Sequence, residues 1–308
     1  MNFLYCIDSN YNLQCYISIC SLLKHSDEDL IIHIIHKDQE SFNPFYSKLK
    51  DSYKNIEINL YEFNNKNLNF PEFLQQFENT HLTETTYYRL YISEYLDASI
   101  ENLLYLDADV YAVNPFKENI RNTFKELNNS NLVIGAYDVV NYNKNTNYKP
   151  YFNVGVLFID FKKWRKQKIT EKLISELNKN PNLKYHDQDI MNNYFNNNFL
   201  NIDDYLNLHI NLDDETIKTY KEKLSKKAIF VHYVGSQKPW QPSGMLSLNS
   251  YFYHDLIKEF NDGNLNLGQK NIFKVVKFVL LNFKKIIFNR ESIYYIKNLF
   301  LQLKSNNL

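Results

Sequence analysis

Glycine is scarce in this chain of 308 residues, which contains six. They stand at positions 135, 155, 235, 244, 263 and 268, and none of them forms a G-x-G-x-x-G run or a P-loop. The sequence therefore offers no glycine-rich cradle for phosphate groups. If the protein binds a nucleotide, the phosphate charge must be neutralised by a metal ion and by basic side chains.

Cysteine and long apolar runs are also limited. The three cysteines, Cys6, Cys15 and Cys20, lie within the first twenty residues without metal-type spacing. This pattern favours reduced thiols in a cytosolic protein over a disulfide framework. No uncharged apolar run approaches the ~20 residues that span a bilayer, and the start of the chain lacks the basic region and cleavage site of a signal peptide. We therefore expect a protein that stays inside the cell.

Charge is balanced overall, with 35 basic and 35 acidic residues, but it is not evenly distributed. From Gln269 onward there are eight basic residues and one acidic residue, so the tail has a net charge of +7 and the preceding body −7. Within the tail, Phe273–Lys304 interleaves lysine with aromatic and aliphatic residues, which favours an amphipathic segment at an anionic membrane surface. A helical hairpin packed on the body is the alternative. Nucleic-acid binding is not expected, since no recognition motif accompanies the charge.

Strand-like apolar runs alternate with helical spacing through most of the chain. This order predicts an α/β fold with a mostly parallel central sheet flanked by helices. The predicted strands are Phe3–Ile7, Ile31–Ile35, Ile56–Tyr61, Asn102–Leu106, Leu132–Ala136, Val154–Ile159 and Ala228–His232. The predicted helices are Asn12–Lys24, a segment after Pro44, Glu84–Leu96, Phe116–Leu127, Trp164–Asn178 and Gln188–Tyr194. We assign residues 1–248 to a catalytic domain and 249–308 to a small, helical and basic C-terminal extension, and we expect a mobile loop at Asn141–Lys149.

An acidic pair follows one of the buried strands. Residues 103–110 read LLYLDADV, so Asp107 and Asp109 are one residue apart at the end of an apolar run. Side chains at i and i+2 of an extended chain point to the same side, and open α/β sheets bind ligands at the carboxyl edge of their strands. Two carboxylates there would repel each other, so we expect a divalent cation between them. A solvated Asp-x-Asp turn is the alternative.

Further segments also carry unusual polar chemistry. Asp8-Ser9-Asn10-Tyr11 follows the first predicted strand, and Arg89 lies in a predicted helix that reads TTYYRLY. The others are Asn153-Val-Gly-Val, the run HDQD that begins at His186, and the run HYVGSQKPW that begins at His232 and contains Lys238.

These six motifs, taken in their order along the chain, resemble those of the family 8 retaining glycosyltransferases over roughly residues 1–245. The resemblance is greatest to bacterial lipopolysaccharide galactosyl- and glucosyltransferases. It implies a GT-A-type fold, a Mn²⁺ cofactor, and transfer of a hexose from a UDP-sugar with retention at the anomeric carbon. It also implies a saccharide or glycolipid acceptor of a cell-envelope glycan, such as lipopolysaccharide or lipooligosaccharide. The acceptor would be reached at the cytoplasmic face of the inner membrane.

The same resemblance implies residue roles. The implied metal ligands are Asp107, Asp109 and His232. The implied nucleotide-binding residues are Asp8, Asn10, Tyr11, His81, Leu82, Asp107, Ala108, Gly235 and Lys238, of which Lys238 holds the diphosphate. The implied catalytic residues around the donor sugar are Arg89, Asn153, Asp187 and Gln188. Because an amide is a poor nucleophile, we favour a front-face route in which Gln188 stabilises positive charge at the anomeric carbon.

Each role has a structural alternative. His232 could be a hydrogen-bonded residue at a strand end, and Arg89 could pair with Glu84 or Glu94 in its own helix. Asp187 and Asp189 begin a helix, where acidic side chains are favoured in any case, so helix capping competes with catalysis for Asp189. His81 could serve loop packing instead of nucleotide contact. Pro239 and Trp240 are interpreted as a packed turn that places Lys238.

Several functional alternatives remain open. One is a glucosyltransferase that acts on a protein or on itself, as glycogenin does. Another is a catalytically silent relative that binds nucleotide sugars. A metal-dependent nucleotidyltransferase or phosphohydrolase would need further carboxylates and a basic triphosphate loop, which the sequence lacks. Both UDP-galactose and UDP-glucose stay open as donors because they differ at a single hydroxyl group.

Overall fold

A computed structural model of the protein describes residues 1–64, 84–139, 150–179, 183, 185–212, 227–241, 244, 247–262 and 280. Several of the predictions above lie outside these described residues. They concern His81, Leu82, the loop Asn141–Lys149 and, apart from Leu280, the basic tail Phe273–Lys304.

A seven-stranded sheet forms the centre of the described chain, with strand order β3-β2-β1-β4-β7-β6-β8. Its strands are β1 (Asn2–Ile7), β2 (Leu30–His36), β3 (Ile56–Glu62), β4 (Asn102–Leu106), β6 (Ile134–Ala136), β7 (Val156–Asp160) and β8 (Leu200–Asn201). Four of the six neighbouring pairs are parallel, and β7 is antiparallel to both of its neighbours. The predicted mostly parallel sheet is therefore confirmed.

A second, three-stranded sheet has the order β5-β10-β9. It consists of β5 (Val110–Ala112), β9 (Leu208–Asn211) and β10 (Phe230–Val234). Strand β10 is parallel to β9 and antiparallel to β5, and His232 is in register with His209 on one side and Val110 on the other. Of these three strands only β10 was predicted, because β5 and β9 have three and four residues, which is too short for a clear pattern.

Seven α-helices lie within the described residues. They are α1 (Asn12–Lys24), α2 (Asn43–Ser52), α3 (Lys117–Asn129), α4 (Phe161–Lys166), α5 (Ile169–Lys179), α6 (His186–Phe195) and α7 (Tyr251–Asn261). The predicted bounds of α1 are confirmed. The predicted helix Trp164–Asn178 is instead two helices, α4 and α5, because the backbone takes a left-handed conformation at Lys168, where φ is 54°. Arg89 lies in a 3₁₀-helical segment, Glu84–Glu94, which is irregular at Tyr91.

The central sheet is buried on both faces. In β1, Phe3, Tyr5 and Ile7 belong to one hydrophobic cluster, whereas Leu4 belongs to the other. This follows from the alternation of side chains along a strand. Helix α7 contributes to the first cluster with Tyr253, Leu256 and Ile257. The two clusters fix the positions of the strand ends that carry the polar motifs.

Helix α7 is attached to α1 by polar contacts as well. The Tyr16 hydroxyl donates a hydrogen bond to the Phe260 carbonyl over 3.1 Å, and the Lys24 ammonium lies 2.7 Å from the Glu259 carboxylate. None of the helices within the described residues combines the length and apolar character that crossing a membrane requires.

Candidate active site at the carboxyl edge of the sheet

The three predicted metal ligands converge, although more than a hundred residues separate the aspartates from the histidine. One ligand atom from each of Asp107, Asp109 and His232 lies within 4.8 Å of the others. The Nε2 atom of His232 is 3.3 Å from Asp109 Oδ1 and 3.9 Å from Asp107 Oδ2. The acidic pair and the distant histidine therefore form one cluster in the folded chain.

A tight turn joins the two sheets at this cluster. Asp107 follows β4 and donates its backbone N–H to the Gly155 carbonyl over 2.8 Å. The Val110 N–H then closes back onto the Asp107 carbonyl over 3.1 Å, and β5 begins at Val110. The turn contains Ala108, which is buried. Because β5 pairs with β10, the turn brings the acidic pair directly beside His232.

The donor atoms fit a divalent cation. Among the described residues, the buried Oδ1 of Asp109 has no hydrogen-bond donor, although it faces a histidine nitrogen. Two carboxylates together with one imidazole nitrogen form a donor set that suits a divalent metal cation. Gly155 keeps the space open, since a Cβ atom at that position would overlap the His232 ring and come within 2.8 Å of Asp107 Oδ2.

Lys238 contacts the other oxygen of Asp109. Its ammonium donates to Asp109 Oδ2 over 2.7 Å and to the Tyr233 carbonyl over 2.6 Å. Burial alone would raise the pKa of Asp109, but Lys238 and His232 together act in the opposite direction and outweigh it, so the pKa lies below its ordinary value. The chain reaches Lys238 through a turn at Gly235, where φ is 84°. A left-handed conformation of this kind favours glycine.

Arg89 is the buried centre of a second charged group. Its Nη2 donates to Asp107 Oδ1 over 2.9 Å, and its Nε lies 3.1 Å from Asp187 Oδ2. The guanidinium also donates to the Val154 carbonyl over 2.8 Å and packs 4.4 Å from the centroid of the Tyr105 ring. These contacts replace the alternative pairing with Glu84 or Glu94. Arg89 thus links the cluster of Asp107, Asp109 and His232 to the first turn of α6.

Asp187 has an unusual protonation equilibrium. Burial raises its pKa from 3.8 to about 6, although the neighbouring Arg89 acts in the opposite direction. The charge of the Asp187 carboxyl group therefore depends on pH near neutrality, and so does its interaction with any charged ligand that binds beside it.

Gln188 and Asn153 form a connected pair beside this group. Gln188 Oε1 accepts from Asn153 Nδ2 over 3.3 Å and from the Val154 N–H over 3.4 Å. Its Nε2 donates to the Tyr151 hydroxyl over 3.2 Å, and that hydroxyl in turn donates to Asp189. Asp189 also accepts from the Tyr185 N–H. The Asp189 carboxylate therefore contacts both the start of α6 and the hydrogen-bond network of Gln188.

The predicted nucleotide-binding residues follow β1. Asp8 is buried and accepts the Asn10 N–H over 2.9 Å, while the Asn10 side chain is exposed. The Tyr11 ring lies edge-on to Trp240 at 6.0 Å. Burial, together with Asp109 and Asp8 nearby, raises the pKa of Tyr11. Trp240 also packs 5.3 Å from Tyr253, in agreement with its interpretation as part of a packed turn.

A comparison with known protein families decides the assignment. The sequence profile described as "Glycosyl transferase family 8" matches residues 2–244. The chain belongs to this family.

Curated relatives agree with the assignment. A lipopolysaccharide 1,2-glucosyltransferase of Escherichia coli is 27% identical over 97% of this chain and 85% of its own length. A lipopolysaccharide 1,3-galactosyltransferase of Salmonella typhimurium is 27% identical over 82% of this chain and 76% of its own. The predicted enzyme class, a hexosyltransferase, is confirmed.

A solved structure supports the fold. The galactosyltransferase LgtC, crystallised with donor and acceptor sugar analogues, matches with a TM-score of 0.63 and 21% identity. The match covers 84% of this chain and 96% of LgtC. The predicted GT-A-type α/β fold is thereby confirmed.

Four site residues of this family 8 chain were not predicted. Tyr105 donates to Asp107 Oδ1 over 2.6 Å and Tyr151 contacts Gln188. Asn207 is buried between Asn153 and His232, and His209 packs against the His232 ring at 5.4 Å. Tyr105 had a signal, since it stands in β4 two residues before Asp107, and side chains at i and i+2 of an extended chain point to the same side. His209 had no comparable signal, because β9 has only four residues.

Proposed function

We propose that this family 8 enzyme transfers galactose or glucose from a UDP-sugar to a saccharide acceptor of a cell-envelope glycan, with Mn²⁺ and with retention at the anomeric carbon. Lipopolysaccharide and lipooligosaccharide are the acceptor classes that we favour. The observation that carries the proposal is the cluster of Asp107, Asp109 and His232 with Lys238 beside it.

In this proposal the three clustered side chains hold the cation. When bound, Mn²⁺ supplies Lewis-acid stabilisation of the negative charge that develops on the departing diphosphate. Lys238 is a compact positive charge suited to phosphate oxygens, and its present contact with Asp109 keeps it at the cluster. The chain thus replaces the missing glycine-rich loop with a metal site and a lysine.

The uridine is assigned to the residues that follow β1. Asp8 and Asn10 offer carboxylate and amide groups for uracil or ribose, and the ring of Tyr11 offers a stacking surface. Ala108 and Gly235 belong to the two turns that border the cluster, so they present backbone groups to the nucleotide. His81 and Leu82, which lie outside the described residues, remain part of the proposed nucleotide site on the resemblance alone.

Arg89, Asn153, Asp187 and Gln188 are assigned to the donor sugar. The Gln188 carbonyl oxygen already accepts two hydrogen bonds, which makes it an electrostatic partner for positive charge at the anomeric carbon and a poor attacking group. We therefore propose a front-face route in which acceptor attack and diphosphate departure occur on the same face of the sugar. In that route the departing phosphate accepts the proton of the acceptor hydroxyl.

Domain organisation and location are part of the proposal. Residues 1–248 form the catalytic domain, and 249–308 form a C-terminal region whose first helix, α7, packs onto α1. The basic residues beyond Gln269 attach the enzyme to anionic lipid at the cytoplasmic face of the inner membrane. This location suits a glycolipid acceptor.

Incubation of the full chain with Mn²⁺, a panel of UDP-sugars and saccharide acceptors, followed by measurement of released UDP, tests the proposal. We expect acceptor-dependent release from UDP-galactose or UDP-glucose, with the α-configuration of the donor kept in the product, and loss of release with EDTA. The Asp109→Asn variant is expected to lose transfer, whereas the exposed Asp255→Asn is expected to retain it.

Two outcomes would redirect the assignment. Transfer of the donor sugar onto the enzyme's own chain would identify a self-glucosylating enzyme. UDP-sugar binding without any transfer, or unchanged turnover in Asp109→Asn, would contradict the proposed catalytic role of the cluster.

A further inference from the structure

A continuous line of hydrogen bonds joins the metal cluster to the sugar side of the site. His232 Nδ1 lies 3.1 Å from Asn207 Oδ1, and Asn207 Nδ2 donates to Asn153 Oδ1 over 3.0 Å. Asn153 Nδ2 then donates to Gln188 Oε1. Asn207 is fully buried, and neither the sequence motifs nor the proposed function assigns it a role.

Two backbone groups fix the orientation of the side-chain amides in this line. The Gly155 N–H donates to Asn153 over 2.9 Å, and the Val154 N–H donates to Gln188. Because a backbone N–H can only donate, the atoms that accept from it must be the amide oxygens. The Asn153 oxygen is thereby identified, so the Asn207 atom that contacts it must be the Asn207 nitrogen.

The orientation of Asn207 in turn determines the tautomer of His232. With its nitrogen directed at Asn153, Asn207 directs its oxygen at His232 Nδ1, and an amide oxygen can only accept. His232 therefore carries its proton on Nδ1. The lone pair of Nε2 is left facing the oxygens of Asp107 and Asp109, at 3.9 and 3.3 Å.

We propose that Asn207 is a positioning residue for the metal centre, which holds His232 as the Nδ1–H tautomer and ties it through Asn153 to Gln188. The inference rests on the proposed function, because it concerns the same cation site. A partner on the distal nitrogen commonly sets the tautomer and orientation of a metal-binding histidine. Here that partner also contacts the sugar-side amides, so one buried asparagine aligns both halves of the site.

The first test reads the tautomer directly in the metal-free full chain. Long-range ¹H–¹⁵N NMR correlations distinguish protonated from unprotonated ring nitrogens, and the His232→Gln variant assigns the signal among the eight histidines. At alkaline pH we expect the proton of His232 on Nδ1. A proton on Nε2, donated to Asp109, would overturn the inference.

The Asn207→Leu variant keeps a side chain of similar volume but removes the amide oxygen that accepts the hydrogen bond from His232 Nδ1. His232 is then expected to move its proton to Nε2, where Asp109 Oδ1 can accept it, and Mn²⁺ affinity measured by electron paramagnetic resonance should fall on the order of 10–100-fold. The exposed Asn198 provides the matched control, because Asn198→Leu should change neither the tautomer nor the affinity. An unchanged tautomer in folded Asn207→Leu would contradict the role of Asn207.

The Asn207→Asp variant separates the two contacts. Its carboxylate still accepts from Nδ1, so the tautomer and the Mn²⁺ affinity should stay within a few-fold of wild type. It has no N–H to donate to the Asn153 oxygen, so turnover should fall while Mn²⁺ binding persists. The control Asn198→Asp should keep both its turnover and its Mn²⁺ binding. Loss of Mn²⁺ affinity together with turnover in Asn207→Asp would contradict the separate roles of its two contacts.

These experiments distinguish a failure of the proposed function from a failure of the role proposed for Asn207. A wild-type chain that binds no Mn²⁺ but keeps His232 protonated on Nδ1 would contradict the proposed function and leave the assignment of Asn207 to the tautomer intact. A wild-type chain that binds Mn²⁺ with the proton on Nε2 in the metal-free state would contradict the role of Asn207 alone.

Discussion

The two oxygens of Asp109 illustrate how this site is built at the scale of single residues. Oδ2 accepts a hydrogen bond from Lys238, whereas Oδ1 is buried without a donor and faces a histidine nitrogen. A buried carboxylate oxygen without a partner is costly, and a cation between the three ligands would remove that cost.

Gly155 gives a prediction about space at the cluster. The Gly155→Ala variant should displace the His232 ring, because the new methyl group would overlap it, and Mn²⁺ affinity should fall by about tenfold or more. The control is Gly135→Ala in β6, where a Cβ atom would lie 3.4 Å from the side chains of Ile202 and Phe158 and so be accommodated. Equal Mn²⁺ affinities in the two variants would show that this glycine does not keep the space open.

Asp187 gives a prediction about pH. Its pKa is about 6 in the folded chain against 3.8 as reference, so the folded state holds the proton more tightly. This contribution to the free energy of unfolding is present at acid pH and is lost as the pH rises from about 4 to about 6. The Asp187→Asn variant should therefore lose less stability than wild type over that range, by about 2 kcal/mol. Urea unfolding of both metal-free proteins across this range measures the difference, and parallel curves would be inconsistent with the raised pKa.

At the scale of elements, long or strongly apolar segments were predictable from the sequence, and very short ones were not. Helix α1 and strand β4 have the predicted bounds, because α1 is a long helical run of thirteen residues and β4 is a continuous apolar run that ends at a charged residue. Strands β5 and β9 were missed because their few residues pair with distant strands. The break between α4 and α5 depends on one left-handed residue, Lys168, which the amphipathic pattern does not reveal.

The residues of the candidate site likewise include some that the sequence indicated and some that it did not. The sequence indicated Asp107 and Asp109 because two carboxylates directly after an apolar run are recognisable locally. His232 was assigned to the metal only through the family resemblance, and it lies within β10 and not at a strand end as predicted, because β10 extends to Val234. Asn207 was missed because it precedes β9 and acquires its partners only when that strand pairs with β10. Contacts that depend on tertiary pairing leave little trace in a single sequence.

Helix α7 gives a prediction at this scale. Ile257 is fully buried in the cluster shared with α1, so Ile257→Ala should lower the free energy of unfolding by about 2–5 kcal/mol. On the exposed face of the same helix, Asp255→Ala should change it by less than about 0.5 kcal/mol. Chemical denaturation checks both values, and a variant at Ile257 that is as stable as wild type would show that α7 does not belong to the folded body.

At the scale of the whole molecule, the uneven charge gives a prediction about membranes. Replacing five tail lysines by glutamine should weaken co-sedimentation of the full chain with anionic vesicles by about a hundredfold or more, because each basic residue near the surface contributes about 1 kcal/mol. The tail substitutions are Lys270, Lys274, Lys277, Lys284 and Lys285.

The matched control removes the same charge from exposed positions on the body. Its substitutions are Lys54, Lys162, Lys166, Lys172 and Lys179. Vesicle binding should be nearly unchanged in the control. An equal loss in both variants would indicate that net charge, and not the tail, governs attachment.

The measurement that tests the central claim most directly is a crystal structure of the full chain with Mn²⁺ and UDP, with the metal located by its anomalous scattering. We predict one Mn²⁺ bound by Asp107, Asp109 and His232, with Lys238 turned toward the diphosphate. A metal peak elsewhere, or UDP bound at this edge of the sheet without any metal, would contradict the account.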